Sequence, residues 1–166
     1  MARRVSLMIL ILLVLGLVGC DHATKAAAVT QLAGNHAVEV IPGVLDLTYA
    51  ENTDMAFGGL RWIPAGARRI FLLATGFGLV AAFGFILVRR RPHALEAFGY
   101  ATALAGGLGN HGDRLFRGYV VDFIHLHHWP VFNVADVCLL AGAALILLGS
   151  WRAAKAQSAR AAPLRS

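Results

Sequence analysis

The chain has 166 residues, of which 58% are hydrophobic, with a mean hydropathy of +0.65 and a formal net charge of +6. That composition excludes the ordinary soluble domain of this length and describes a small polytopic membrane protein. The charge does not indicate nucleic acid, because most basic residues flank apolar runs, as topology determinants do. The two cysteines, Cys20 and Cys138, each lie within or at the end of an apolar run and make no disulfide framework.

The first apolar run is Val5–Cys20, preceded by Arg3 and Arg4. Leu17-Val-Gly-Cys20 also resembles a lipobox, so one reading makes the chain a lipoprotein processed at Cys20. Three further hydrophobic segments argue for a polytopic protein instead. Asp21 and Lys25 extend the helical pattern beyond Cys20, and their i, i+4 spacing lets them pair. Residues 26–67 form the longest polar section. Within it, Val38-Glu-Val-Ile and Val44-Leu-Asp-Leu-Thr-Tyr49 read as two short strands about a Pro42-Gly43 turn. Their alternation would lay an amphipathic sheet on the bilayer surface, with Trp62 as an interfacial anchor.

The second span is Ile70–Val88, and its Gly76, Gly78, Ala81 and Gly84 predict close helix packing. The third runs roughly from Ala94 to Asn110 and leads into Asn110-His-Gly-Asp-Arg114. An outer loop over 111–131 follows, holding the short extended segment Tyr119-Val-Val-Asp-Phe-Ile124. The fourth span covers about 132–151. Residues 1–152 are thus expected to form one domain, with 153–166 a disordered basic tail. The termini and the middle loop carry nine basic residues and the other side six, which places both termini in the cytoplasm.

Four antiparallel spans bring the ends of spans one and three and the start of span four to one outer face. Asp21, Lys25, Asn110, Asp113, Arg114, Asn133 and Asp136 therefore converge there, with Asn52 and Asp122 from the loops. No packing argument requires that concentration of polar groups. Asp136 would lie about 5 Å, one helical turn, below the membrane surface, where an ionisable side chain marks a candidate site. For one aspartate, a helix cap or an Arg partner would suffice as explanation. Two, Asp122 and Asp136, both bounded by apolar residues at one membrane face, point to function.

The chemistry narrows by elimination. The serines are Ser6, Ser150, Ser158 and Ser166, all at cytoplasmic ends, and there is no G-x-S-x-G elbow. No H-E-x-x-H motif occurs. His125, His127 and His128 cluster near Asp122, but that spacing without a further ligand more often marks an interfacial loop than a metal site. No metal or cofactor is expected. A carboxylate pair remains. Two carboxyls within hydrogen-bond reach share a proton, so one can act as general base on a water and the other as general acid.

Asp21-His-Ala-Thr-Lys25, Asn52-Thr-Asp-Met-Ala-Phe57, Gly109-Asn-His-Gly-Asp-Arg114, Val120-Val-Asp-Phe-Ile124 and Phe132-Asn-Val-Ala-Asp136 occur in the order found in the lipoprotein signal peptidase family, signal peptidase II. The resemblance spans Asp21 to Asp136. It implies an all-α membrane protein of four transmembrane helices with a small extracytoplasmic sheet, seated in the bacterial inner membrane with its active site at the outer face. The implied activity is that of an aspartic endopeptidase cutting diacylglyceryl-modified prolipoproteins just before the lipidated cysteine. Asp122 and Asp136 become the catalytic dyad. Asp21, Lys25, Asn52, Asn110, Asp113, Arg114 and Asn133 become supporting or substrate-positioning residues. Prolipoproteins, membrane lipid and a globomycin-type inhibitor are the implied partners; nucleic acid is not. The competing reading is a non-catalytic lipoprotein-binding or immunity-like paralogue.

Two positions depart from the family pattern: Asp54 stands where glycine is usual, and Val137 where serine is frequent. Asp54 either adds a third carboxylate within ~6 Å of the pair, or faces solvent or caps its loop in an Asx-turn.

Overall fold

The computed structural model describes residues 5–34, 37–54, 59–60, 62–90 and 92–161. Residues Met55 to Phe57 of the second motif, and Arg3, Arg4, Arg61 and Arg91, lie outside them. Four long helices dominate: α1 (Leu7–Leu32), α2 (Ala65–Phe85), α3 (Ala94–Phe116) and α4 (Val134–Ala161). A π-helical turn, Ile86–Arg90, continues α2. Strands β1 (Val38–Ile41), β2 (Leu45–Asn52) and β3 (Val120–Leu126) form an antiparallel sheet in the order β1-β2-β3.

The helices alternate in direction. Leu10 near the start of α1 packs with Leu87 beyond α2 and with Ala97 and Ala101 near the start of α3. At the other end, Ala28 and Leu32 of α1 pack with Val121 and Phe123 of β3. Large apolar side chains on the outside of the bundle stay exposed, among them Met8, Leu12, Leu15, Phe77, Leu140 and Leu147. Such a surface suits lipid rather than water.

Among the described residues, three helical stretches are long and apolar enough to cross a membrane: Leu7–Leu32, Ala65–Arg90 and Val134–Ala159. α3 is about 35 Å long by its residue count but less apolar. It is the inner helix. Asn110, His111 and Asp113, three of the residues that lower its hydropathy, are buried. α3 and α4 approach closely through small residues: a Cβ on Gly106 would collide with the Ala135 carbonyl, and one on Gly142 would meet the Ala103 backbone at 2.6 Å. The stripe expected on α2 is used only in part. Gly76 lies against the His111 ring, whereas Gly78 and Gly84 face open space.

Four boundaries differ from expectation. α2 begins at Ala65 rather than Ile70, so residues 65–67 are helix rather than loop. α1 runs on to Leu32 and α3 to Phe116, so residues 26–32 and 111–116 are helix rather than loop. Polar residues suggested helix ends there, but their side chains are buried against partners and the helices continue past them. α3 ends before Gly118, whose φ of 84° suits glycine. α4 continues to Ala161, so the part of the expected disordered tail over 153–161 is helical. Its alanines favour helix, which outweighs the charge of Arg152 and Lys155.

Candidate active site

β3 positions the first carboxylate. The period of two sends Val121 and Phe123 toward α1, and Val120 and Asp122 to the opposite face. β2 pairs with β3 at Leu47↔Ile124 and at Ala50↔Asp122, so β2 carries one extra residue between those pairs. That bulge re-aims the end of β2. Asn52 arrives beside Asp122, and its Nδ2 donates to Asp122 Oδ2 at 2.9 Å.

The start of α4 positions the second carboxylate. Asn133 Oδ1 accepts from Asp136 N at 3.1 Å, and Asn133 N donates to Asp136 Oδ2 at 3.1 Å. This reciprocal cap satisfies donors that a helix start leaves orphaned. Asp136 therefore does cap its helix, as a purely structural aspartate would. Its other oxygen, Oδ1, accepts from Asn110 Nδ2 at 2.8 Å and faces inward.

Asn133, fully buried, joins the two carboxylates. Its Nδ2 donates to Asp122 Oδ1 at 2.6 Å and to Asn110 Oδ1 at 3.1 Å. Behind it lies Lys25, also fully buried. Its Nζ pairs with Asp21 Oδ2 at 2.8 Å and with Asp113 Oδ2 at 3.1 Å, and it donates to Asn110 Oδ1 at 2.9 Å. Asp21 Oδ1 accepts from Ala135 N, and Asp113 Oδ2 accepts from Val121 N. One lysine thus offsets two buried carboxylates that fasten α4 and β3 to the bundle. A Cβ on Gly109 would collide with Asp21, so the glycine in that motif gives the carboxylate its space.

The two aspartates open on one cavity of about 500 Å³. Asn52, Asn110, Arg114, Asp122 and Asp136 form its polar wall; Leu126, Trp129, Phe132, Leu139 and Leu140 form much of the apolar remainder. Of the nine residues singled out from the sequence, five line this cavity. The other four, Asp21, Lys25, Asp113 and Asn133, hold it from behind. Burial raises the Asp122 carboxyl from 3.8 to about 6, the hydrogen bond from Asn52 opposes the rise, and the neighbouring Asp136 adds to it.

The histidine cluster has other partners. His125 Nδ1 lies 3.5 Å and His127 Nε2 3.1 Å from Asp46 Oδ2, across the β2–β3 pair. Asp54 does not face solvent. It is 6% exposed, and its carboxylate takes the Leu60 N–H at 3.2 Å and lies 3.7 Å from Arg68. The Asx-turn here is made by Asn52, whose Oδ1 accepts from Asp54 N at 2.9 Å. The role of Arg68 was not visible in the sequence, where it counted only as a topology charge. A pair fourteen residues apart across a loop leaves no periodic signal. The apolar side of the cavity, from Leu126 to Phe132, was equally hidden, since a turn gives no register.

The Signal peptidase (SPase) II family profile matches residues 12–152. The chain belongs to the signal peptidase II family. A lipoprotein signal peptidase of Chlorobaculum tepidum is 40% identical over 141 residues, covering 77% of this chain and 85% of the relative. One from Syntrophotalea carbinolica is 34% identical, covering 87% and 91%. A solved bacterial membrane enzyme, determined by the in meso method at 2.3 Å resolution, superposes with a TM-score of 0.78 at 28% identity, covering 92% of this chain and 93% of that one. A second, at 1.9 Å, gives the same TM-score at 27% identity, with 89% and 96% covered. The chain is therefore a membrane-embedded peptidase of the signal peptidase II family.

Proposed function

We propose that this peptidase works as an aspartic endopeptidase on diacylglyceryl-modified prolipoproteins, cutting the peptide bond just before the lipidated cysteine. The observation that carries this reading is the convergence of Asp122 and Asp136 on one cavity, each oxygen held by a named donor. The apolar wall suits a signal peptide and acyl chains arriving from the membrane. The polar wall sits where a peptide carbonyl and a water would meet the carboxylates.

The pair acts with one proton between them. The ionised carboxylate takes a proton from the water as its oxygen adds to the scissile carbonyl, while the protonated partner gives its proton to the carbonyl oxygen. Collapse of the tetrahedral adduct breaks the C–N bond: the leaving nitrogen takes the proton that one carboxyl accepted from water, a hydroxyl of the adduct returns its proton to the other carboxylate, and the pair again holds one proton. Asn52, Asn110 and Asn133 fix the carboxylates without adding charge. Their rigidity avoids the cost of reorganising dipoles during the reaction. Arg114 places a positive charge on the wall of the same cavity.

In the proposed topology α3 also spans the bilayer, both termini are cytoplasmic, and the cavity opens at the outer face of the inner membrane. The apolar residues Val38, Val40, Ile41 and Val44, all exposed around β1, suit a sheet resting on that membrane. A cyclic peptide inhibitor of the globomycin type would occupy the same cavity.

The test is cleavage of a diacylglyceryl-modified prolipoprotein by the purified chain in detergent, with the product mapped by mass spectrometry. The expected product begins at the lipidated cysteine, and its formation is unaffected by chelators. Binding without cleavage would favour the non-catalytic alternative. Inhibition by chelators reversed by zinc would favour the histidines.

A further inference from the structure

Asp54 contacts both sides of the cavity's polar wall without lining it. Its N–H is held by Asn52 Oδ1, while Nδ2 of the same amide donates to Asp122. Its carbonyl accepts from Arg114 Nη2 at 3.0 Å. The turn from Asn52 to Asp54 therefore connects Asp122 to Arg114 through one side-chain amide and one main-chain residue. The Asp54 carboxylate fastens this turn from behind, at Leu60 N and at Arg68 in the first turns of α2.

The fastening matters because of what surrounds Arg114. It shares the cavity wall with Asp122 and Asp136, follows Asp113 in α3 and bonds to the carbonyl of Asp54. Lys25 and Arg117 already compensate Asp113, and Arg68 compensates Asp54. Asp122 and Asp136 have only neutral amide and main-chain donors among the described residues. A mobile guanidinium would therefore move onto one of them. A direct ion pair there would favour the ionised carboxylate and remove the shared proton the pair needs. Arg114 Nε is buried with no hydrogen-bond partner among the described residues, so the bond to the Asp54 carbonyl is what restrains the group.

We propose that Asp54, clamped by Arg68, is a positioning residue that holds Arg114 on the cavity wall and off the Asp122–Asp136 pair. It acts through Asn52 and Arg114 and does not touch substrate. The inference rests on the peptidase reading above.

The experiment measures kcat, KM and pH–rate profiles for wild type, Asp54→Gly, Asp54→Asn and Arg68→Gln, using the prolipoprotein assay. Asp54→Gly and Arg68→Gln are expected to lower kcat about tenfold with KM changed less than about twofold, and to move the acidic limb to lower pH. Arg68→Gln is the discriminating variant. If charge alone mattered, losing a cation would move the limb to higher pH. Asp54→Asn keeps an acceptor for Leu60 and guards against a folding artefact; it is expected to fall between wild type and glycine. In an Arg114→Ala background, Asp54→Gly is expected to have no further effect on the profile. Additive losses in that background, or an acidic limb that Arg68→Gln leaves in place or moves upward, would overturn the inference while the peptidase reading stands. A wild-type chain that does not cleave overturns both.

Discussion

Asp122 accepts a hydrogen bond on each of its oxygens and still holds its proton more tightly than an ordinary aspartate. Burial outweighs the two amides, and Asp136 adds to it. This has a consequence for stability. A carboxyl raised to about 6 in the folded chain binds its proton more tightly there than when unfolded. Its contribution to stability is therefore greatest below about pH 4, falls as pH rises toward 6, and is flat above that. The range amounts to a few kcal/mol, on the order of 3, for a shift of this size. Asp122→Asn removes that dependence. The thermal midpoint of the variant relative to wild type is expected to rise between pH 4 and pH 7 and then level off, measured by differential scanning fluorimetry in detergent. A constant difference across that range would contradict the assignment. The two aspartates were legible in the sequence because they interrupt apolar surroundings. Their connection through Asn133 was not, since a single asparagine beside a helix start carries no sign of bonds to Asp122, Asp136, Asn110 and the Val121 carbonyl at once.

At the scale of elements, the site depends on α1, α3, α4 and β3 meeting at one end, and Lys25 pairs with the two carboxylates that fasten α4 and β3 there. The hydrophobic runs marked all four helices, and the alternation of Leu45, Leu47 and Tyr49 marked the sheet. Helix ends were misjudged wherever charge was read as exposure. Asp21, Lys25, Asn110 and Asp113 are polar but buried, so hydropathy stopped the helices too early. The i, i+4 pair Asp21–Lys25 was legible from spacing alone; the second partner, Asp113, is eighty-eight residues away and needed the fold. Replacing Lys25 by methionine leaves Asp21 and Asp113 buried without their shared cation. It is expected to destabilise the protein by about 3–5 kcal/mol. The check is a thermal or denaturant midpoint in detergent, and Asp113→Asn in the same chain is expected to restore part of the loss. A Lys25→Met midpoint equal to that of wild type would show that the cluster carries no such strain.

For the molecule as a whole, membrane and mechanism are linked. The bundle turns apolar side chains outward and gathers its buried polar and charged residues at one end, where a cavity lined by aspartates and asparagines adjoins an apolar wall. A substrate anchored in lipid would reach the carboxylates by lateral diffusion, with its cleavage site at a depth set by its acyl chains. The central claim is that Asp122 and Asp136 together perform the hydrolysis. The most direct measurement is the cleavage rate of diacylglyceryl-modified prolipoprotein by wild type, Asp122→Asn and Asp136→Asn, all shown to be folded by their thermal transitions. Each amide keeps the shape of the side chain but cannot exchange the shared proton, so each variant is expected to lose at least about a thousandfold in rate. Turnover within tenfold of wild type by either variant would contradict the account.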